Sequence, residues 1–122
     1  MKTSSCKAKG RVLQDKVREM YRELGKKRRL VEDDIKAAPM GQKGVDIIFS
    51  PAAKAIFNHD IECKKHAQVR IPAEFKKHYK KYKDQTSLKL LFSENNNSEA
   101  LVTMQAKDFM TLLERILYLE EM

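Results

Sequence analysis

Apolar residues recur along this chain in two rhythms, and the change from one to the other lays out its elements. After Gly10, the residues Val12, Leu13, Val17, Met20, Tyr21 and Leu24 return at helical steps, which predicts a helix with one apolar stripe and a stop at Gly25. Residues 45–49, Val-Asp-Ile-Ile-Phe, are rich in β-branched side chains and broken by one acid. Residues 60–64, Asp-Ile-Glu-Cys-Lys, alternate polar and apolar with the period of a half-buried strand. These two strands are expected to pair as a hairpin, with Ser50 and Pro51 as the N-cap and first position of a short helical insertion between them.

Downstream of Ile71-Pro72 a helix is predicted with Phe75, His78, Tyr79 and Tyr82 on one side and Lys76, Lys77, Lys80, Lys81 and Lys83 on the rest. Residues 87–92 and 100–104 read as a third and a fourth strand, joined by a hairpin loop through Asn95-Asn96-Asn97. Residues 107–120 form a last helix. Its apolar face of Phe109, Leu112, Leu113, Ile116, Leu117 and Leu119 is broader than one small sheet needs, so it is either core or half of a contact between two copies. The remainder is connective: a polar tail over residues 1–8 expected to be disordered, a short turn or a link over residues 30–38 ending in an extended segment before Pro39, and a glycine-containing loop over residues 39–44. Helices around a few short strands predict an α/β fold with a small mixed sheet.

At 122 residues the chain has room for one domain with a real core and not for two. No apolar run approaches the roughly 20 residues of a membrane helix, and no apolar signal core stands at the N-terminus, so a cytoplasmic location is expected, in a host cell if the chain is viral. The formal charge of +8, from 25 Lys and Arg against 17 Asp and Glu, points to a polyanionic partner, with nucleic acid first in line. Candidate phosphate contacts are Lys9, Arg11, Lys43, Lys65, Lys76, Lys77 and Lys80, although charge runs such as Lys26-Lys27-Arg28-Arg29 also serve simply as solvated helix ends. Two cysteines, Cys6 and Cys63, make no disulfide framework. A zinc site from His59, Cys63 and His66 is disfavoured, because a strand spreads His59 and Cys63 across about 13 Å while zinc bonds are about 2 Å long.

The alternating strand carries the chemistry. Ile61 and Cys63 should face the core, leaving Glu62 and Lys64 together on the other face about 6.6 Å apart, where both can act on one phosphate. If the first strand lies beside the second, Asp46 brings another carboxylate to the same end. Two hard oxygen ligands suit Mg²⁺ or Mn²⁺, which keep several waters and complete their shell from substrate phosphate. The plain alternative is that charged residues on a strand's outer face are merely solvated. Asp46 weighs against it, because a carboxylate inside an apolar run is costly to desolvate without a partner.

Taken in order, Lys9-Gly10 opening the first helix, Gly41-Gln42-Lys43-Gly44-Val45-Asp46 at the first strand and Ile61-Glu62-Cys63-Lys64-Lys65 at the second resemble the PD-(D/E)xK nuclease superfamily. Within it the chain is similar to Holliday junction resolvases of archaeal type and their phage-encoded relatives, over nearly its whole length. The resemblance implies a restriction-endonuclease-like core and a divalent-metal-dependent endodeoxyribonuclease that resolves four-way DNA junctions by paired nicks, working as a homodimer. It implies Asp46, Glu62 and the Cys63 main-chain carbonyl as metal ligands and Lys64 as the residue that orients or deprotonates water. Archaeal-type resolvases carry a glutamate four residues after the Lys-Gly pair; here that position is Gln14, which offers a neutral carbonyl oxygen instead. Two other readings stay open: a different nuclease of this superfamily for replication or packaging intermediates, and a nucleic-acid-binding module without catalysis.

Overall fold

The structure, a computed structural model, describes residues 3–39, 44–65, 70–81, 87–94 and 99–121, with side chains from Gly10 to Glu120. Residues 40–43 of the glycine loop, Lys43 among them, His66, Tyr82, Lys83, Asn95-Asn96-Asn97 and the side chains of Cys6 and Lys9 lie outside the described residues. Helix α1 (Thr3–Gly25) is followed by 3-10 turns over Lys26–Arg28 and Glu32–Asp34, then strands β1 (Ile35–Ala37) and β2 (Ile47–Phe49). Next come α2 (Pro51–Lys54), β3 (His59–Lys65), α3 (Ile71–Lys81), β4 (Leu88–Glu94), β5 (Leu101–Thr103) and α4 (Ala106–Glu121). Among the described residues no helix is long and apolar enough to cross a membrane.

The fold is mixed α/β, as its apolar rhythms indicate, but the strands pair differently from the expected hairpin. β2 pairs antiparallel with β1, Ile35 opposite Phe49, so the three-residue strand inside the presumed link is its partner. β3 pairs in parallel with β4, with Glu62 opposite Leu91 and Lys64 opposite Ser93, and α3 makes the crossover that a parallel pair requires. β5 then closes the sheet antiparallel to β4. α1 begins at Thr3 and not near Gly10, so most of the expected N-terminal tail is helical.

The core lies between α1 and one face of these strands. Leu13, Val17 and Tyr21 from α1 meet Ile35, Ile47, Ile61, Cys63, Leu90 and Phe92. Each fully buried aliphatic side chain among them stabilises the fold by about 1.5–3 kcal/mol. The apolar stripe of α1 is narrower than its sequence suggests, because Val12, Met20 and Leu24 are about half exposed. Tyr21 sits edge-on to Phe49 and Phe57, with ring centroids 5.4 and 5.2 Å away, and its hydroxyl bonds His59 Nδ1 at 2.9 Å. α2 is capped as read: Ser50 Oγ accepts from the Ala53 amide at 3.1 Å, and Pro51 fills the first position.

Strand alternation sends Asp60, Glu62 and Lys64 to the opposite face of β3, which α3 covers. Buried there, Lys89 of β4 donates to Asp60 Oδ2 at 2.8 Å, and His78 Nε2 of α3 meets the Asp60 carbonyl at 3.0 Å. These contacts fix α3 over the strand that carries Glu62.

Candidate functional site

Asp46 lies just before β2, in a turn whose Gly44 has φ +123°, a backbone that L side chains rarely adopt. Its amide donates to the Ile61 carbonyl at 2.9 Å and its Oδ2 accepts from the Cys63 amide at 2.7 Å. The β2 turn is thereby joined to β3 at the two residues flanking Glu62. Gln14 reaches across from α1 toward the same carboxylate and favours its charged form. Asp15 turns aside to pair with Arg18 at 3.2 Å.

Glu62 is mostly covered, its side chain 16 % exposed. Its Oε1 is 3.9 Å from Lys64 Nζ and its Oε2 is 4.0 Å from His78 Nδ1. Oε2 is buried and accepts no hydrogen bond. Lys64 stands between two acids, the second being Glu74 of α3, whose Oε2 is 4.0 Å away. Glu62, Lys64, Glu74, Lys77, His78 and Lys81 line one cleft, and Lys81 Nζ closes its far side by donating to the Gly44 carbonyl at 3.4 Å.

The electrostatics follow from this packing. Burial raises the Asp46 carboxyl, against the opposing pull of the Cys63 amide, Lys64, Lys81 and Gln14. Burial also raises Glu62, and the Asp46 charge adds to the effect, while Lys81 and Lys64 oppose it. His78 is lowered by burial. The Cys63 thiol, on the core face, is pushed up by burial and by the two carboxylates, which leaves it a small buried apolar group and not a nucleophile.

Two part-buried carboxylates, the charge of Asp46 disfavouring that of Glu62 and one Glu62 oxygen lacking a donor among the described residues, form a donor set that a hard divalent cation satisfies. Among the described residues no three His, Cys, Asp or Glu side chains converge to hold an ion. A cation held by Asp46 and Glu62 would therefore take other ligands from carbonyl oxygen, water or substrate phosphate, which is the habit of Mg²⁺. At Cys63 the group in contact with Asp46 is the amide. Gln14 meets the site beside Asp46, where its amide favours the carboxylate.

Asp46, Glu62, Lys64 and Gln14 are thus brought together, while the predicted phosphate contacts are sorted by strand and helix phase. Lys65 falls on the α1 face of β3, away from Glu62, and pairs with Glu94, which also holds Lys16. Glu94 is buried at 4 % exposure, so Lys65 serves as its structural partner on the face opposite Glu62. Lys76 and Lys80 are exposed on the outer side of α3, and Lys77 is the predicted α3 lysine that lines the cleft. Arg11 is exposed on α1, one turn before Gln14. Glu74, His78 and Lys81 were missed by sequence reasoning. The signal for them was their spacing, i, i+4 and i+7, which puts them on one face of α3.

No family model, no curated protein and no solved structure matches this chain.

Proposed function

We propose that this chain is a divalent-metal-dependent endodeoxyribonuclease acting on branched DNA, cutting four-way junctions by paired nicks. The observation that carries the reading is Glu62 Oε2, a buried oxygen without a hydrogen-bond donor among the described residues, beside the part-buried carboxylate of Asp46. A protein that only binds DNA gains nothing from such a pair, whose charge repels phosphate.

Asp46 and Glu62 hold Mg²⁺, or Mn²⁺ in its place, with the Cys63 carbonyl and the Gln14 amide oxygen as further oxygen donors. The ion, when bound, offsets the negative charge that builds on the phosphoryl oxygens and acidifies a water. Lys64, with Glu62 on one side and Glu74 on the other, orients the attacking water and balances charge at the scissile phosphate. Lys77 and Lys81 on α3 and Arg11 on α1 hold neighbouring backbone phosphates. The overall charge of +8 supports this role. Phosphate contacts position DNA without reading bases, so selectivity rests on the shape of the branch.

Labelled four-way junction, plain duplex and flap DNA, each incubated with Mg²⁺, Ca²⁺ or EDTA, test the proposal. Symmetric paired nicks in the junction, dependent on Mg²⁺, are expected. Cleavage of flap or duplex in preference to junction would point to another nuclease reaction at the same centre. A shifted, uncut band under every condition would leave a binding protein.

A further inference from the structure

His78 is 2 % exposed, yet it lines the cleft that holds Glu62, Lys64 and Glu74. Its two ring nitrogens have different company. Nε2 lies 3.0 Å from the Asp60 carbonyl, and because a carbonyl only accepts, Nε2 carries the proton and donates. In the neutral ring that tautomer makes Nδ1 a lone-pair nitrogen, and burial lowers the His78 pKa, which keeps the ring neutral near neutral pH. Nδ1 stands 4.0 Å from Glu62 Oε2, the carboxylate oxygen that accepts no hydrogen bond among the described residues. Lys64 faces the other oxygen, Oε1, at 3.9 Å.

Two acceptor atoms held this close in a covered place repel each other unless something positive lies between them. A direct hydrogen bond is excluded by length, since 4.0 Å lies beyond the donor–acceptor range. An ion fits the gap. Ligands roughly 2.1 Å from one ion stand about 3.0–3.4 Å from each other at octahedral or tetrahedral angles, so a closure of ~0.6–1.0 Å by the Glu62 side chain brings both atoms to it. A backbone carbonyl on the other ring N–H is also the usual partner of a ligating imidazole, whose tautomer and direction it fixes. The described side chains close no cage of three around an ion, and the positions left open are those that water and phosphate need. A bridging water is the rival occupant, and the experiment below separates the two.

We propose that His78 Nδ1 is a metal ligand of this centre, sharing its ion with Glu62 Oε2, and that it biases the site toward a first-row transition ion such as Co²⁺ or Fe²⁺ over Mg²⁺. Imidazole nitrogen suits those ions, whereas Mg²⁺ takes oxygen ligands. Mg²⁺ still fits through the oxygens alone. The inference rests on the metal centre of the proposed nuclease and on no cleavage result.

Co²⁺ titration of the full chain, read by visible absorption with Mg²⁺ as competitor, tests it without substrate. The wild type is expected to bind Co²⁺ at least about tenfold tighter than Mg²⁺. Its proton NMR spectrum should then show one imidazole N–H signal displaced by the paramagnetic ion and slow to exchange, because Nε2–H is held by Asp60. His78→Gln should lose that signal and roughly tenfold or more in Co²⁺ affinity, while Mg²⁺ affinity stays within about threefold. His59→Gln should keep both, since His59 bonds the Tyr21 hydroxyl of α1. The wild-type signal and its survival in His59→Gln decide the matter even where His78→Gln fails to fold. Bound Co²⁺ without a displaced imidazole signal, or with one that survives His78→Gln or vanishes in His59→Gln, overturns the proposal and leaves the nuclease reading in place. A wild type that binds neither ion defeats both.

Discussion

The Cys63 amide donates to Asp46 Oδ2 at 2.7 Å, and the Asp46 amide donates in turn to the Ile61 carbonyl at 2.9 Å. Two bonds from residues on either side of Glu62 therefore hold Asp46 to β3, although β2 and β3 belong to different sheets. The carboxylate pair is built by this clamp.

Removing one charge of the pair should stabilise the protein when no metal is present. Burial raises both carboxyls. A carboxyl raised on folding supports the fold while protonated, below its unfolded pKa, and that support is lost as pH rises through its folded pKa. At about pH 7 the ionised pair thus works against folding. Glu62→Gln in EDTA should melt a few degrees higher than wild type there, with the gap closing in acid, and should lose any stabilisation by Mg²⁺. Thermal melts across pH with and without Mg²⁺ check both halves; a variant that melts no higher at neutral pH contradicts the first.

Lys64→Ala should separate binding from cleavage. Lys64 lies 3.9 Å from Glu62 and 4.0 Å from Glu74, inside the cleft and not on a flank. Junction affinity should change little, while single-turnover cleavage falls by about a hundredfold or more. Nicking at the wild-type rate would remove Lys64 from the chemistry.

Gln14→Glu should place a third acid against Asp46, where the neutral Gln14 amide now favours the carboxylate. The apo protein should lose stability through added repulsion, roughly 1–2 kcal/mol, because a neutral amide is replaced by a charge. The Mg²⁺ concentration for half-maximal cleavage should fall. An unchanged metal titration would mean that Gln14 only positions Asp46.

Lys89→Met should cost about 3–5 kcal/mol, since it strands the buried Asp60 carboxylate, now bonded to Lys89 Nζ at 2.8 Å. Adding Asp60→Asn should return part of it. Denaturant unfolding of the single and double variants measures the coupling, and additive losses would show that the two residues do not act as a pair.

Salt dependence should distinguish the two sides of α3. Loss of Lys77 and Lys81, which line the cleft, should flatten the plot of log affinity against log salt by roughly 0.9 for each phosphate contact removed. Loss of Lys76 and Lys80 on the outer side should flatten it less.

Much of this was legible in residue order. The alternation Ile61, Glu62, Cys63, Lys64 identified which side chains face the core, and the same rule, carried one residue further, already puts Lys65 on the face opposite Glu62. Ser50-Pro51 announced α2, and Gly25 ended α1. By contrast, nothing local marked Ile35, Lys36 and Ala37 as the partner of β2, because three residues are too few to show a period.

The chain's sequence alone determined its α/β character, the faces of β3 and the acid at position 46, since these follow from the two- and 3.6-residue periods of the backbone. Only the tertiary structure decided that β3 runs parallel to β4, because pairing is chosen by which surfaces bury each other over long separations. That choice carries α3 across the sheet and delivers Glu74, His78 and Lys81 to Glu62. Among the described residues it also leaves Phe109, Met110, Ile116, Leu117 and Leu119 of α4 exposed, a matter of what the rest of the fold reaches.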